Sequence, residues 1–155
     1  MANTIDNRTC LALDYGQRRI GIAVGQSETA TAQGIATVRV GVNGPDWEYL
    51  AELIETWRPQ HLVVGLPLHM DATESPMATA ARRFGTELER RFQRPVIYID
   101  ERLTSESADR LLVESGARRS RRAGNRDRLA AQLILQDYFD RFSARNDQTV
   151  GCDHA

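Results

Sequence analysis

The sequence predicts an α/β fold: a mixed five-stranded sheet, with a three-strand antiparallel meander plus two parallel strands, flanked by helices. Two observations predict it. Three apolar runs open the chain, joined too tightly for parallel crossovers, so they must form a meander. Two later runs are short and nearly all apolar, and each follows a stretch of helical periodicity. Right-handed crossovers then lay those two strands parallel to the first. At 155 residues the chain is sized for about one domain.

The elements follow in order. Residues 10–13 are apolar and end in Asp14-Tyr15-Gly16, and a second apolar run starts at Arg19 and reaches Val24. Two runs around a Gly-containing turn read as a hairpin. Residues 34–40 alternate Ile35, Thr37 and Arg39 against Ala36, Val38 and Val40, a third strand. A loop over 41–45 leads to Pro45-Asp46, where Pro suits a helical first turn. The first helix presents Trp47, Leu50, Ala51, Ile54 and Trp57 at core spacing and stops before Pro59. Both tryptophans therefore read as core, not as base-stacking platforms. Residues 61–65 form a brief buried strand. A loop follows, and Ser75-Pro76 supplies an N-cap and first turn. The second helix runs to about Arg91 with Met77, Ala80, Ala81, Phe84, Leu88 and Phe92 on one side. Residues 95–99 are the last strand, also read as buried. Thr104 or Ser105 can cap a third helix carrying Ala108, Leu111 and Leu112. A final helix spans about Arg126 to Phe142 with Leu129, Ala130, Leu133, Ile134 and Tyr138 facing inward. Residues 1–8 read as an N-terminal extension, 9–142 as the domain, and 143–155 as a polar, frayed tail.

Composition removes several chemistries. All 20 basic residues are arginine. Without lysine the chain builds no Walker-type phosphate loop, no kinase strand lysine and no Schiff base. Cys10 and Cys152 match no metal or redox spacing, which points to a reducing compartment. The polar, acid-containing start does not read as a signal peptide, and no apolar run approaches the roughly 18 residues of a membrane helix. A cytoplasmic protein with no membrane partner is expected. The net charge of −1 hides a basic middle: residues 116–128 carry six Arg and a single acid, Asp127.

The acids suggest a chemistry. Asp14 ends the first strand and Glu101 follows the last. If those strands are parallel, both lie at the carboxyl edge of the sheet, the usual ligand site of open α/β folds. Asp127 starts the final helix and can return to the same edge. Three converging carboxylates repel unless a cation lies between them. Hard oxygens select Mg²⁺ or Mn²⁺, and two such ions about 3.5–4 Å apart can clamp a phosphodiester displacement. Each acid also has a structural reading: Asp14 as a turn residue, Asp100-Glu101 as acids at a helix start, Asp127 as a cap. Asp71, Glu74 and Asp100 are reserve acids at the same edge, and His69 lies in the loop beside them.

Four segments then carry a resemblance: residues 13–24 (LDYGQRRIGIAV), 64–75 (VGLPLHMDATES), 100–105 (DERLTS) and 127–138 (DRLAAQLILQDY). Together, and in this order, they resemble the YqgF or RuvX family of Holliday-junction-resolvase-like proteins. The resemblance implies an RNase H-like fold and a small bacterial nuclease that matures the 5′ end of pre-16S ribosomal RNA. It also implies that Asp14, Glu101 and Asp127 are the catalytic acids and the ligands of Mg²⁺ or Mn²⁺. Ala72 stands where the family usually has Gly, and Ser105 where it often has Thr. Neither position touches the expected ligands.

The arginines supply candidate nucleic-acid contacts. Arg18 and Arg19 follow the Asp14 turn, Arg102 follows Glu101, and Arg118, Arg119, Arg121 and Arg122 precede Asp127. Guanidinium forks suit bidentate phosphate contacts, although charge runs are also often merely solvated. Precursor ribosomal RNA is the expected partner, on or off the ribosome, bound by a monomer or homodimer. Structured DNA, cut as a Holliday junction by a dimer, is the alternative, and a non-catalytic nucleic-acid-binding module is a third. An actin-like ATPase shares an Asp-x-Gly hairpin, but that fold pairs two such domains and needs a longer chain.

Overall fold

A computed structural model describes residues 8–67, 71, 73–101 and 123–154. The expected helix after Ser105, His69, Arg102 and the arginines at 118–122 lie outside the described residues, as do residues 1–7.

The described elements are β1 (Thr9–Tyr15), β2 (Arg19–Gln26), β3 (Thr31–Gly41), β4 (Gly44–Pro45), α1 (Trp47–Trp57), β5 (His61–Leu66), α2 (Pro76–Phe92), β6 (Val96–Asp100) and α3 (Ala123–His154). They form one sheet in the order β4-β3-β2-β1-β5-β6. The meander is antiparallel, and β5 and β6 run parallel to β1. The sheet has six strands where five were expected. The extra one is the two-residue β4, which pairs Val40 with Pro45 and Gly41 with Gly44. Pro45 therefore ends a strand, and Asp46 caps α1 by accepting the Tyr49 N–H at 3.1 Å.

Alternation along β1 sends Leu11 and Leu13 to one face and Cys10 and Ala12 to the other. The first face is covered by α1 and α2 through Leu50, Ile54, Ala78, Ala81, Phe84 and Leu88. The second is covered by α3 through Ala131, Ile134, Leu135 and Phe139. The inward stripe of α3 thus lies about one residue from the expected one. Ile134 is shared, while Leu129, Ala130 and Leu133 are only half-buried. The sheet-facing side of α3 also carries two glutamines. Gln132 Oε1 accepts from Gly34 N at 3.0 Å, and Gln136 donates to the Ala30 carbonyl at 2.9 Å. Gly34 sits at a bulge, where Ile22 pairs Ala36 but Ala23 pairs Gly34. A bulge disrupts the ladder and leaves backbone groups in need of partners, and Gln132 supplies one.

Three further expectations are corrected. Trp57 is not core: it is 39 % exposed at the last turn of α1; Ala51 is exposed too, while Leu53 packs inward. The C-cap explains Trp57, since Arg58 turns left-handed (φ 48°) and ends the helix there. Strand β6 is an edge with only Ile99 buried, not a fully buried strand. Finally, α3 starts at Ala123 and reaches His154, beyond the expected end at Phe142. Residues 143–150 hold no Pro or Gly, and propagation adds one hydrogen bond for each residue ordered.

Candidate active site

Parallel pairing puts the candidate acids at one edge. Leu13 pairs Val64 and Leu66 pairs Asp100, so Asp14 and Glu101 both lie where parallel strands end. Their side chains are hydrogen-bonded to each other. Glycine makes room for the pair. A Cβ on Gly65 would lie 2.5 Å from Glu101 Oε2 and 2.6 Å from Ile134 Cδ1. The bare backbone of β5 is therefore the floor on which the Glu101 side chain rests.

Asp127 is brought in by a second glycine. Gly21 pairs with Asp14 across β1 and β2. A Cβ on Gly21 would overlap the Asp127 carbonyl oxygen and would lie 3.1 Å from the Arg128 nitrogen. The α3 backbone thus rests on β2 directly across from Asp14, without a side chain between. Gly34 extends the bed, since a Cβ there would meet the Arg128 carbonyl at 2.7 Å. Asp127 is the fifth residue of α3, so it is not the helix cap. Its carboxylate accepts from Arg19 Nε at 2.6 Å. Among the described residues no three Asp, Glu, His or Cys side chains form a closed metal-binding group. The arrangement is a half-buried Asp14–Glu101 pair with Asp127 near enough for its charge to act on Asp14.

Electrostatics follow from that burial. Desolvation pushes Asp14 up to about 6, with the Asp127 charge adding to the rise and the Glu101 hydrogen bond opposing it. Desolvation also pushes Glu101 up to about 8, reinforced by the Asp14 charge, by the Asp14 hydrogen bond and by the Asp100 charge. Between those values the two carboxyls share one proton. That proton does what a cation would do: it relieves the repulsion of two half-buried carboxylates. A hard, all-oxygen donor pair so placed could take Mg²⁺ or Mn²⁺, and Asp127, here held by Arg19, is a further carboxylate nearby.

The raised values fix a sign. The folded state binds protons more tightly than the unfolded chain, so metal-free stability is greatest below about pH 4 as far as this pair goes, and is lost as pH rises through 6 to 8. Glu101→Gln should flatten that slope and raise the metal-free melting temperature at pH 8.5 by roughly 3–8 °C. Melts of both proteins at pH 5.5 and 8.5 in a chelator check this; an unchanged slope contradicts it.

The reserve acids are engaged elsewhere or at the rim. Asp71 accepts from Thr73 N and Oγ1 at 3.1 and 2.6 Å, closing its own turn. Glu74 is ion-paired with Arg82. Asp100 ends β6 and acts on Glu101 through its charge. Arg18 is exposed at the mouth of the hairpin, where its carbonyl accepts from Val40 N at 2.9 Å. Gly21, Gly34 and Gly65 were not singled out from the sequence as site residues. Their signal was present, since glycine inside a strand marks a bulge or a close approach.

The strand order and crossovers, with an acidic centre at the carboxyl edge of a mixed sheet, define an RNase H-like fold. The fold assignment agrees with two solved structures of Thermus thermophilus RuvC. One, in complex with a Holliday junction substrate, has a TM-score of 0.53 at 15% identity and covers 84% of this chain and 93% of that one. The other has a TM-score of 0.51 at 14% identity, covering 88% and 96%. The chain belongs to the RuvX family: the model described as "RuvX: Holliday junction resolvase" matches residues 8–141. Similar curated proteins share the name "Putative pre-16S rRNA nuclease". That of Chromohalobacter salexigens is 46% identical over 132 residues, 85% of this chain and 89% of its own length. That of Nitrosomonas europaea is 45% identical over 132 residues, 85% and 89%. That of Actinobacillus pleuropneumoniae serotype 7 is 42% identical over 133 residues, 86% and 97%. Family and relatives make the chain a hydrolase of phosphodiester bonds. Among the described residues no helix is long and apolar enough to cross a membrane.

Proposed function

We propose that this chain is a divalent-metal-dependent endonuclease that processes the 5′ end of precursor 16S ribosomal RNA in the cytoplasm, with Asp14, Glu101 and Asp127 as its catalytic acids. The observation that carries this reading is the half-buried, hydrogen-bonded Asp14–Glu101 pair at the carboxyl edge, with Asp127 set beside it. Mg²⁺ or Mn²⁺, as a pair of ions, would supply charge neutralisation at the attacking and leaving oxygens. Asp14 and Glu101 would hold the cations once their shared proton leaves, so cation affinity and cleavage rise with pH toward about 8. Asp127, on α3 where its backbone rests on Gly21, adds a third carboxylate. Arg18 and Arg19 face the substrate phosphates beside the centre. Arg102, Arg118, Arg119, Arg121 and Arg122 grip the strand through its backbone. Such contacts position and do not read bases, so specificity comes from RNA structure or from the ribosome.

A second reading is resolution of four-way DNA junctions by a homodimer. It is supported by the description of the matching family model and by the junction-bound RuvC neighbour. One experiment separates the readings: precursor 16S RNA and a four-way junction are incubated with the protein, with Mg²⁺ or chelator, while sedimentation gives its oligomeric state. Mg²⁺-dependent cleavage of the RNA at its 5′ precursor segment is expected. Cleavage of the junction alone by a dimer favours the second reading, and metal-independent binding of either polymer without cleavage leaves only a binding module.

The basic segment before Asp127 has its own expected signature. If four of its arginines neutralise phosphates, log affinity for RNA falls with log salt at a slope of roughly −3 to −4. Replacing Arg118, Arg119, Arg121 and Arg122 by Gln should make the slope shallower by that amount in a filter-binding titration, leaving the part due to Arg18, Arg19 and Arg102. A slope unchanged by the four substitutions would show the segment to be a solvated run.

A further inference from the structure

The Asp127 side chain stands between two alternatives. Asp14 lies opposite Gly21 on β1, and the α3 backbone at Asp127 lies over Gly21. Arg19 is two residues from Gly21 and so shares its face of β2. The carboxylate therefore has a cation to one side and the Asp14–Glu101 pair to the other. In the structure it takes the cation, with Arg19 Nε at 2.6 Å from Asp127 Oδ2. The same structure closes no group of three acids among its described residues. The contact is open to competition, because the Arg19 and Asp127 side chains are 44% and 25% exposed. A phosphodiester reaching the site presents the guanidinium with a second anion of matching geometry. The backbone has little part in such an exchange. Gly21 and Gly34 hold α3 against the strands, and the Gln132–Gly34 hydrogen bond ties the next turn down.

We propose that Arg19 is a positioning residue that parks Asp127 away from the Asp14–Glu101 pair until a substrate phosphate takes the guanidinium and frees the carboxylate to complete the cation site. One ion pair is exchanged for another, and only side chains turn. The nucleic acid and the divalent cation then raise each other's affinity by the same factor. This rests on the acidic centre being the cation site proposed above.

The test reads binding, not activity. Mn²⁺ is titrated by electron paramagnetic resonance into the free protein, without nucleic acid, for the wild type, Arg19→Gln, Asp127→Asn and the double variant. Arg19→Gln should bind Mn²⁺ about two- to fivefold more tightly than wild type, the range set by a partly exposed ion pair. The gain should vanish when Asp127→Asn is added. Unchanged or weaker binding by Arg19→Gln overturns the inference. So does a gain that survives Asp127→Asn, because it would report only the removal of a positive charge. Failure of the underlying reading looks different: Asp14→Asn/Glu101→Gln would bind Mn²⁺ as tightly as wild type, or no variant would bind it, and the inference would fall with it.

Discussion

Asp14→Asn should lower Mg²⁺-dependent cleavage of a precursor 16S RNA fragment by at least about 10³-fold, while the protein remains folded. The substitution keeps the shape of the side chain and a carbonyl acceptor for Glu101. It removes the negative charge that a divalent cation needs at a partly desolvated site. It also removes part of a destabilising arrangement. Asp14 sits well above its ordinary value because burial penalises its charged form. An amide has no such form, so the melting temperature at pH 8.5 should hold or rise. Single-turnover cleavage and a thermal melt on the same preparation decide the matter. Cleavage at the wild-type rate by a folded Asp14→Asn protein would remove Asp14 from the mechanism. Loss of both fold and activity would make it structural.

Gly21→Ala should be the most damaging small substitution in the fold, destabilising it by more than about 3 kcal/mol or preventing folding. A methyl group there would overlap the backbone carbonyl of Asp127, which is part of a helix and cannot rotate aside as a side chain would. Either α3 lifts from the sheet or β2 bends. In both cases Ile134, Leu135 and Phe139 lose their packing, and Asp127 moves away from Asp14. Any folded fraction should therefore cleave poorly. Gly41→Ala is the control, since a Cβ there meets nothing nearer than the Gly44 carbonyl at 4.0 Å and should cost under about 0.5 kcal/mol. Urea unfolding of the three proteins measures the contrast. Similar midpoints for the two variants would show that the close approach of α3 to β2 is not tight in solution.

Much of the fold was legible because its signals are local. The tight turns of the meander forced antiparallel pairing, and intervening helices forced parallel β5 and β6. Ser75 and Pro76 marked the start of α2, where Ser75 indeed accepts from Ala78 N at 3.0 Å. Where the reading missed, the deciding contact was distant or ambiguous. Pro45 suited a helix start, but pairing with Val40 claimed it for β4. Trp57 matched the stripe of α1, but the helix ends there and leaves it at the rim. In α3 the run from Leu129 to Leu135 is apolar on nearly every side, so periodicity could not choose a face. Glycines 21 and 34 and the glutamine bonds to Gly34 of β3 and to Ala30 just before it chose it.

The acidic centre divides in the same way. The sequence by itself determined that the chemistry rests on carboxylates and arginine, because a chain without lysine excludes the common alternatives. It also determined that Asp14 and Glu101 end parallel strands, since strand direction follows from the connections between elements. Only the tertiary structure decided what those acids do to one another. Their shared proton arises from burial, and burial is a property of everything packed around them. Only the tertiary structure placed Asp127 against Arg19 instead of inside the pair, because that choice turns on a helix resting upon a bare glycine backbone 106 positions away in the chain. Local patterns carry direction and periodicity. Distances between distant residues are set by packing, and the distances determine the charge state.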